Sequence, residues 1–259
     1  MIDTIAFCEQ NIAVLGLGRS GLAACEALMR SNAQVWAWDD DPGVRQRAGD
    51  TGVPLVDLEH CPWDSLKALV LSPGIPCNHP RPHPVVELAR AARCKVLGDI
   101  ELLARSQHEA AFIGITGTNG KSTTTALIGH ILDQAGRDAE VGGNIGVPAL
   151  EMRPLGAGGT YVLELSSFQL ELIASVTFDI AVLLNVSPDH LDRYPSMEEY
   201  VAAKETIFRH QKASCTAIAG IDDARSRAVC EDLKAGGAQA VIPVSGRRRA
   251  AGGGYAAAG

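Results

Sequence analysis

Residues 114–123, GITGTNGKST, contain the residue types in this chain that are best suited to chemistry. They follow an apolar run at residues 110–115 and precede a helical pattern at residues 123–135, which is the strand–loop–helix setting of a P-loop. The backbone N–H groups of such a turn and the N-terminus of the following helix attract anions. Lys121 is spaced to reach the β- and γ-phosphates, and the Ser122 hydroxyl is spaced to ligate Mg²⁺. The segment therefore predicts nucleoside triphosphate chemistry.

The loop departs from the common P-loop pattern at one position. Where G-x-x-x-x-G-K-(Ser/Thr) has its first glycine this chain has Ile115, and Gly114 and Gly117 flank it. A glycine-rich turn before an ordinary helix is the alternative, and the Lys-Ser pair at the helix start argues against it. The predicted nucleotide-binding residues are Gly117, Thr118, Asn119, Gly120, Lys121, Ser122 and Thr123.

A second glycine-rich loop lies near the start of the chain. Residues 16–21, GLGRSG, form a complete G-x-G-x-x-G, and Asp39 ends the next predicted strand about twenty residues later, where a ribose-binding acid lies. Alone, this pattern predicts a nicotinamide dinucleotide, but any nucleoside diphosphate suits such a turn, and a tight turn without ligand stays open. Residues 71–75 form another turn after a strand, where ligands bind in open α/β sheets. The predicted substrate-binding residues of this half are Gly16, Gly18, Arg19, Ser20, Asp39, Ser72 and Gly74.

Polar residues with several possible roles follow the P-loop along the chain. Asn144 lies in the turn GGNIG. Glu164 opens ELSSFQL, where a Walker-B-type acid holds Mg²⁺, or it caps the turn that follows. His190, within NVSPDHLDRY, is a metal ligand, a substrate donor or a structural hydrogen-bonding residue. Lys204, on the next predicted helix, is a functional lysine or an ordinary solvated one.

Composition narrows the class of protein. The 259 residues indicate one or two domains, and 46% apolar residues are ample for a core. A net charge of −7 argues against nucleic acid or an anionic membrane as partner. No apolar run approaches about eighteen residues, so no membrane span is predicted. A cytoplasmic location is predicted from the cysteines. The seven cysteines are scattered without a C-x-x-C pair, which indicates reduced thiols rather than a zinc site.

Short apolar runs alternate with helical patterns throughout, which predicts an α/β fold with parallel sheets covered on both faces. Two phosphate-type loops, each opening its own series of elements, predict two domains at residues 1–107 and 108–259. The last ten residues, AAGGGYAAAG, are predicted to be a frayed tail. The predicted strands are residues 12–15, 34–38, 68–71, 95–97, 111–115, 161–165, 180–185, 216–219 and 240–244.

TGTNGKST, ELSSFQL and NVSPDHLDRY together resemble the Mur ligases, the ATP-dependent amide-bond-forming enzymes of peptidoglycan synthesis, and most of all the members that add D-glutamate. Each motif alone has limited specificity, but their order and spacing together are highly specific. The resemblance runs from the first loop to about residue 249. It implies three domains: a Rossmann-like domain (residues 1–107) for the uridine diphosphate part of the substrate, an incomplete P-loop-type ATPase domain with a parallel sheet (residues 108–259), and an amino-acid-binding third domain that is absent here.

The resemblance also implies roles for single residues. It reassigns the first loop from NAD to uridine diphosphate, and it gives Asn144 and His190 contacts to the muramoyl substrate. Lys204 matches a lysine that CO₂ carbamylates into an anion able to ligate metal. The implied catalytic residues are Lys121, His190 and Lys204. The implied Mg²⁺ ligands are Ser122, Glu164, His190 and Lys204.

The implied reaction adds D-glutamate to UDP-N-acetylmuramoyl-L-alanine through an acyl phosphate, with ATP and Mg²⁺, and by a monomer without nucleic-acid or membrane partners. Since the third domain is absent, the chain as it stands is predicted to have little or no ligase activity. One alternative is therefore an inactive fragment that binds only uridine nucleotide and ATP. An NAD-dependent oxidoreductase is the other alternative, but it rests on the first loop alone and leaves the P-loop unexplained.

Overall fold

In the computed structural model, which describes residues 1–255, the chain is an α/β protein in which the paired strands run parallel. The α/β fold class predicted from the sequence is confirmed. The strands are β1 (Asn11–Leu15), β2 (Gln34–Trp38), β3 (Ala68–Leu71), β4 (Lys95–Leu97), β5 (Ala111–Thr116), β6 (Ala139–Gly143), β7 (Thr160–Glu164), β8 (Ile180–Leu183), β9 (Thr216–Gly220), β10 (Ala240–Ser245) and β11 (Gly254–Tyr255). The α-helices are α1 (Arg19–Arg30), α2 (Pro42–Asp50), α3 (Pro84–Ala91), α4 (Asp99–Ser106), α5 (Lys121–Gln134), α6 (Ser167–Leu170), α7 (Met197–Glu205) and α8 (Ala224–Gly236).

The described chain forms two compact units. The first consists of Met1–His108, Gly146–Pro154 and Glu171–Val176, and the second of Glu109–Ile145, Leu155–Leu170 and the residues from Thr177 onward. The first unit contains a four-stranded sheet in the order β2-β1-β3-β4. Four of the five residues of β1 are buried, as expected for a parallel strand that is covered on both faces.

The second unit contains a seven-stranded sheet in the order β11-β10-β9-β8-β5-β7-β6. β5 lies between β7 and β8, and a Cβ on its Gly114 would lie 2.8 Å from the Phe178 ring, so this position has no room for a side chain. β5 ends at Thr116, β7 at Glu164 and β8 at Leu183. The carboxyl ends of these neighbouring strands therefore bring the predicted P-loop close to the segments that follow β7 and β8, where open α/β sheets bind ligands.

Four of these strands and α-helices differ from the sequence-based predictions, among them the four-residue helix α6, where the sequence predicted only a turn. β6 was not predicted, because its AEVGG sequence has neither a long apolar run nor a clear alternation, and it forms by pairing with β7. α2 was also missed, although Asp41 caps it and Pro42 occupies its first turn, a local signal that was available. The predicted frayed tail is wrong at β11, where backbone pairing with β10 orders two residues that have no core to join. Residues 256–259 of that tail lie outside the described residues.

Among residues 1–255, no helix has the length and apolar character required to cross a membrane. All seven cysteines lie in this part of the chain and are free thiols; five are buried, Cys61 is half-buried and Cys8 is exposed.

Candidate nucleotide-binding and metal site

The predicted P-loop joins β5 to α5 through two glycines with positive φ angles. Gly117 has φ +151° and Gly120 has φ +84°, backbone conformations that side-chain-bearing residues rarely adopt. Gly120 is the N-cap of α5 and makes no side-chain capping bond. The first N–H groups of a helix have no partner within it, and the helix dipole adds positive potential at this end. The loop therefore presents the start of a 14-residue helix to an anion.

The Lys121 side chain folds back over the loop. Its Nζ donates hydrogen bonds to the carbonyl oxygens of Gly117 at 2.9 Å and Thr118 at 3.0 Å. These bonds hold the Lys121 ammonium group over the loop, close to where the spacing of the P-loop motif predicts the phosphates. Ser122 and Thr123, in the first turn of α5, are exposed.

Lys204 reaches the same loop from α7. Only 2% of it is exposed, and its Nζ donates to the Gly117 carbonyl at 3.1 Å and lies 4.6 Å from the centroid of the Tyr200 ring. The alternative of a solvated helix lysine is therefore wrong. Burial, and then the charge of Lys121, lower the pKa of Lys204 from 10.5 to about 7, against a weaker opposing effect of Asp189. The fold thus brings two lysines, 83 positions apart in the sequence, to one carbonyl oxygen.

This lowered pKa makes a testable contribution to stability. Below about pH 7 Lys204 is protonated in both states, whereas between pH 7 and 10.5 only the unfolded state keeps the proton. The unfolded state then binds more protons, so stability rises with pH in this window. In CO₂-free buffer, we expect the free energy of unfolding to rise, relative to a Lys204→Met variant, by on the order of 2 kcal/mol over the two pH units above 7. If chemical denaturation gave parallel pH profiles of the unfolding free energy for the wild type and the variant, this prediction would be contradicted.

Glu164 ends β7 and is only 2% exposed. Its Oε1 accepts a hydrogen bond from Asn144 Nδ2 at 3.0 Å, whereas its Oε2 is buried without a hydrogen-bond partner. A buried carboxylate oxygen without a partner is costly unless a ligand satisfies it, and carboxylate oxygen is a preferred ligand of Mg²⁺. The observed geometry therefore fits a divalent cation at Glu164. Its neighbour Gly143 is constrained, since a Cβ there would lie 2.4 Å from the Glu164 carbonyl oxygen.

The predicted metal ligands do not form a preassembled cage. Within residues 1–255, no group of three or more His, Cys, Asp or Glu side chains is arranged to hold a metal ion. Mg²⁺ usually takes one or two carboxylates and completes its shell with phosphate oxygens and water. Glu164 is a carboxylate whose unpartnered oxygen could hold such an ion, and Ser122 at the start of α5 stays the predicted hydroxyl ligand.

His190 lies in an aromatic cluster that the sequence interpretation did not identify. It has φ +52°, its ring centroid lies 4.9 Å from that of Phe168 and 6.1 Å from that of Tyr200, and its Nε2 lies 3.6 Å from Asp189 Oδ2. Tyr200 in turn contacts Lys204, four residues later on α7, and its hydroxyl lies 3.3 Å from Thr118 Oγ1. The i, i+4 spacing of a tyrosine and a lysine on a predicted helix was the signal that could have revealed this contact.

The first glycine-rich loop, in the other compact unit, is held by its neighbours. Gly16 has φ +88°, its N–H donates to the Trp38 carbonyl, and its carbonyl accepts a 2.8 Å bond from Ser72 Oγ. Asp39 Oδ2 accepts from Leu17 N at 2.7 Å, so this carboxylate braces the loop.

The other predicted residues of this loop are less constrained. The Arg19 guanidinium donates to the Gly146 carbonyl, and Ser20 is half-buried at the start of α1. A Cβ on Gly18 or Gly74 would meet nothing within 4 Å, so sterics alone do not demand glycine at either position. The structure thus joins Gly16, Asp39 and Ser72 in one network.

Comparisons with known proteins indicate the family to which this chain is related and the fold that it shares. The family model described as "Mur ligase middle domain" matches residues 115–252. The UDP-N-acetylmuramoylalanine–D-glutamate ligase of Caulobacter vibrioides is 48% identical over 262 residues, covering 99% of this chain and 56% of that protein. Its counterpart from Rhodospirillum rubrum is 47% identical over 258 residues, covering 98% and 54%. The chain thus spans about half the length of the curated relatives it matches.

A solved structure shows the same fold at lower identity. The UDP-N-acetylmuramate:L-alanyl-γ-D-glutamyl-meso-diaminopimelate ligase from Neisseria meningitides matches with a TM-score of 0.59 and 17% identity, covering 94% of this chain and 82% of that one. At this identity the match concerns the fold alone.

Proposed function

This chain belongs to the Mur ligase family, and from that premise we propose that it provides the ATP- and uridine-substrate-binding parts of a peptidoglycan-precursor ligase. The reaction proposed is the addition of D-glutamate to UDP-N-acetylmuramoyl-L-alanine, in keeping with the names of relatives that are 47 to 48% identical. The observation that supports it most is a grouping of charged side chains at one edge of the sheet. Lys121 and Lys204 donate to the same carbonyl oxygen of the glycine loop, and Glu164 has a buried oxygen without a hydrogen-bond partner.

The reaction divides into two steps with distinct electrostatic demands. The carboxylate of the alanyl substrate attacks the γ-phosphorus of ATP, giving an acyl phosphate and ADP. The amine of D-glutamate then attacks the acyl carbon, loses a proton, and inorganic phosphate leaves. The first step brings a carboxylate and a polyphosphate together, so charge neutralisation and alignment dominate its catalysis, whereas the nucleophile of the second step is a neutral amine. Lys121 and the N–H groups of α5 hold the phosphates, and Glu164 and Ser122 would hold a Mg²⁺ ion that would supply further charge neutralisation.

Lys204 is proposed to act as its carbamate. The neutral amine is the form that attacks CO₂; a C–N bond forms, a C=O electron pair moves to oxygen, and the nitrogen loses a proton. A pKa of about 7 leaves a large share of Lys204 in this form near neutral pH. The product is an anion able to ligate metal, whereas a bare ammonium would repel it. Besides the ion at Ser122 and Glu164, a second Mg²⁺ is proposed, which His190 would ligate. Asn144 and His190 are also proposed to contact the muramoyl substrate.

Ligand binding and turnover test this function. In a thermal-shift assay we expect MgATP and UDP-N-acetylmuramoyl-L-alanine each to raise the midpoint, because a ligand that binds only the folded state stabilises it, whereas NADH should have no effect. A coupled phosphate-release assay with D-glutamate then measures ligation. Stabilisation by NADH without any by the uridine nucleotide would favour an oxidoreductase instead. Binding of both substrates without phosphate release would limit the chain to substrate binding.

A further inference from the structure

We propose that Asn185 is a positioning residue that holds the P-loop in its anion-binding conformation before nucleotide arrives. Asn185 follows β8, and no role was predicted for its side chain. The proposal rests on the proposed function, since it assumes that the P-loop binds phosphate. It concerns a residue that acts through Thr118 and Asn119 and touches no reacting atom.

The Asn185 side chain forms a two-point contact with the backbone of Asn119. Its Oδ1 accepts from Asn119 N at 2.9 Å, and its Nδ2 donates to Asn119 O at 3.0 Å. The Asn185 carbonyl also accepts from Thr118 N at 3.0 Å. One residue therefore holds two successive residues of the loop, across a sequence separation of 66 positions.

Ser187 extends this contact. Its N–H donates to Thr118 Oγ1 at 3.1 Å, and its carbonyl accepts from the same hydroxyl at 3.2 Å. The spacing is also tight, since a Cβ on Gly117 would lie 3.3 Å from Asn185 N. The pairing of β5 with β8 thus continues beyond the strands into the loop, where side-chain bonds replace part of the backbone ladder.

This contact divides the polar groups of the loop into two sets. The N–H groups of Thr118 and Asn119 are bound to Asn185, so they are turned away from a phosphate. The N–H donors that remain available to an anion are those at the uncapped N-terminus of α5, beginning with Gly120 and Lys121. None of the three Asn185 bonds involves the Lys121 ammonium, so they persist when phosphate takes that ammonium from the loop. A loop that is already in its bound conformation loses less entropy on binding.

The amide is the chemical group that this position requires. An aspartate at 185 would keep an acceptor for Asn119 N, but it would lose the donor to Asn119 O and place a negative charge beside the anion site. Asn185→Ala, which loses both side-chain bonds without adding a charge, is therefore the variant that tests positioning. Asn185→Asp adds repulsion between its second oxygen and the Asn119 carbonyl, together with the charge beside the anion site.

The experiment compares Asn185→Ala, Asn185→Asp and a matched control, Gln211→Met. Gln211 is also a bracing amide, donating to the Phe178 and Thr216 carbonyls at 3.0 Å each, beside the amino-terminal ends of β8 and β9. Calorimetry measures Kd for MgATP, for pyrophosphate, which needs no adenine site, and for UDP. We expect Asn185→Ala to weaken MgATP and pyrophosphate by about tenfold, Asn185→Asp to weaken them further, and UDP to be unaffected. Gln211→Met should lower the thermal midpoint without changing phosphate affinity.

Two results would overturn the proposal: wild-type phosphate affinity in Asn185→Ala, or an equal loss in Gln211→Met. Should the wild-type chain bind neither MgATP nor pyrophosphate, the proposed function fails, and amide hydrogen exchange then decides the role of Asn185 separately. Exchange at Asn119 N is expected to accelerate in Asn185→Ala while Thr118 N, held by the retained backbone carbonyl, changes less. Unchanged exchange at Asn119 N in Asn185→Ala would overturn the proposal that Asn185 positions the loop.

Discussion

Where the wild-type protein turns over ATP, Lys121→Ala is expected to abolish that turnover while leaving the fold intact. Loss of one electrostatic contact to a developing charge costs on the order of 10² to 10³ in rate, and here the lost charge is the only P-loop lysine. Lys121 is half-buried, and its hydrogen bonds end on two loop carbonyls. After its removal the Gly117 carbonyl still accepts from Lys204, and Thr118 is only half-buried. A coupled ADP-release assay and a thermal melt measure the two halves of this prediction.

The control for this variant is Lys234→Ala, which removes the same charge from an exposed position on α8. It should leave both ATP turnover and the melting temperature unchanged. The Lys121 variant carries a second expectation, because the Lys121 charge is one cause of the lowered pKa of Lys204. In Lys121→Ala the pKa of Lys204 should move upward, toward its ordinary value. ATP-dependent ligation at near-normal rate by a folded Lys121→Ala variant would refute the role of this lysine.

Glu164→Gln is expected to abolish stabilisation by Mg²⁺ with nucleotide and, without ligand, to make the protein as stable as wild type or more stable. The substitution keeps the shape and the acceptor for Asn144, while it replaces a buried oxygen that lacks a partner. A buried charge without a partner costs more than a buried neutral amide, so replacing the carboxylate there should not destabilise the apo form. Functional sites commonly trade stability for binding in this way.

Thermal melts with and without MgATP, compared for wild type and Glu164→Gln, measure this effect. The matched control is Glu198→Gln on α7, whose carboxylate is exposed; it should keep the full ligand-induced shift. Were Glu164→Gln to lose several degrees without ligand and still respond fully to MgATP, Glu164 would be a structural residue rather than a metal ligand.

Local sequence was enough to predict much of this fold. Nine strands were predicted from apolar runs, because buried parallel strands are continuous apolar segments whose signal needs no tertiary context. β6 and β11 escaped, since pairing with a neighbouring strand, rather than their own residues, orders them. The P-loop was recognised for the same local reason: a glycine turn followed by Lys-Ser at a helix start is a short motif with its own geometry.

The candidate site was predictable in part. Lys121, Ser122 and Glu164 follow directly from their places at strand ends and at a helix start. The partners of Asn185, Tyr200 and Lys204 do not, because each contact joins segments that are 66 to 87 positions apart. A side-chain amide or a helix lysine has many possible partners, and periodicity does not choose among them.

The sequence by itself determined the family, the α/β class and the position of the phosphate loop, because these depend on short-range patterns of glycine, lysine and apolar residues. Only the tertiary structure decided that Lys204 is buried against the Gly117 carbonyl, that Glu164 keeps an unsatisfied oxygen, and that Asn185 braces the loop. The physical reason is that burial and hydrogen-bond pairing are set by the order of β8, β5 and β7 in the sheet. That order brings distant residues to one edge, where desolvation and neighbouring charge determine their chemistry.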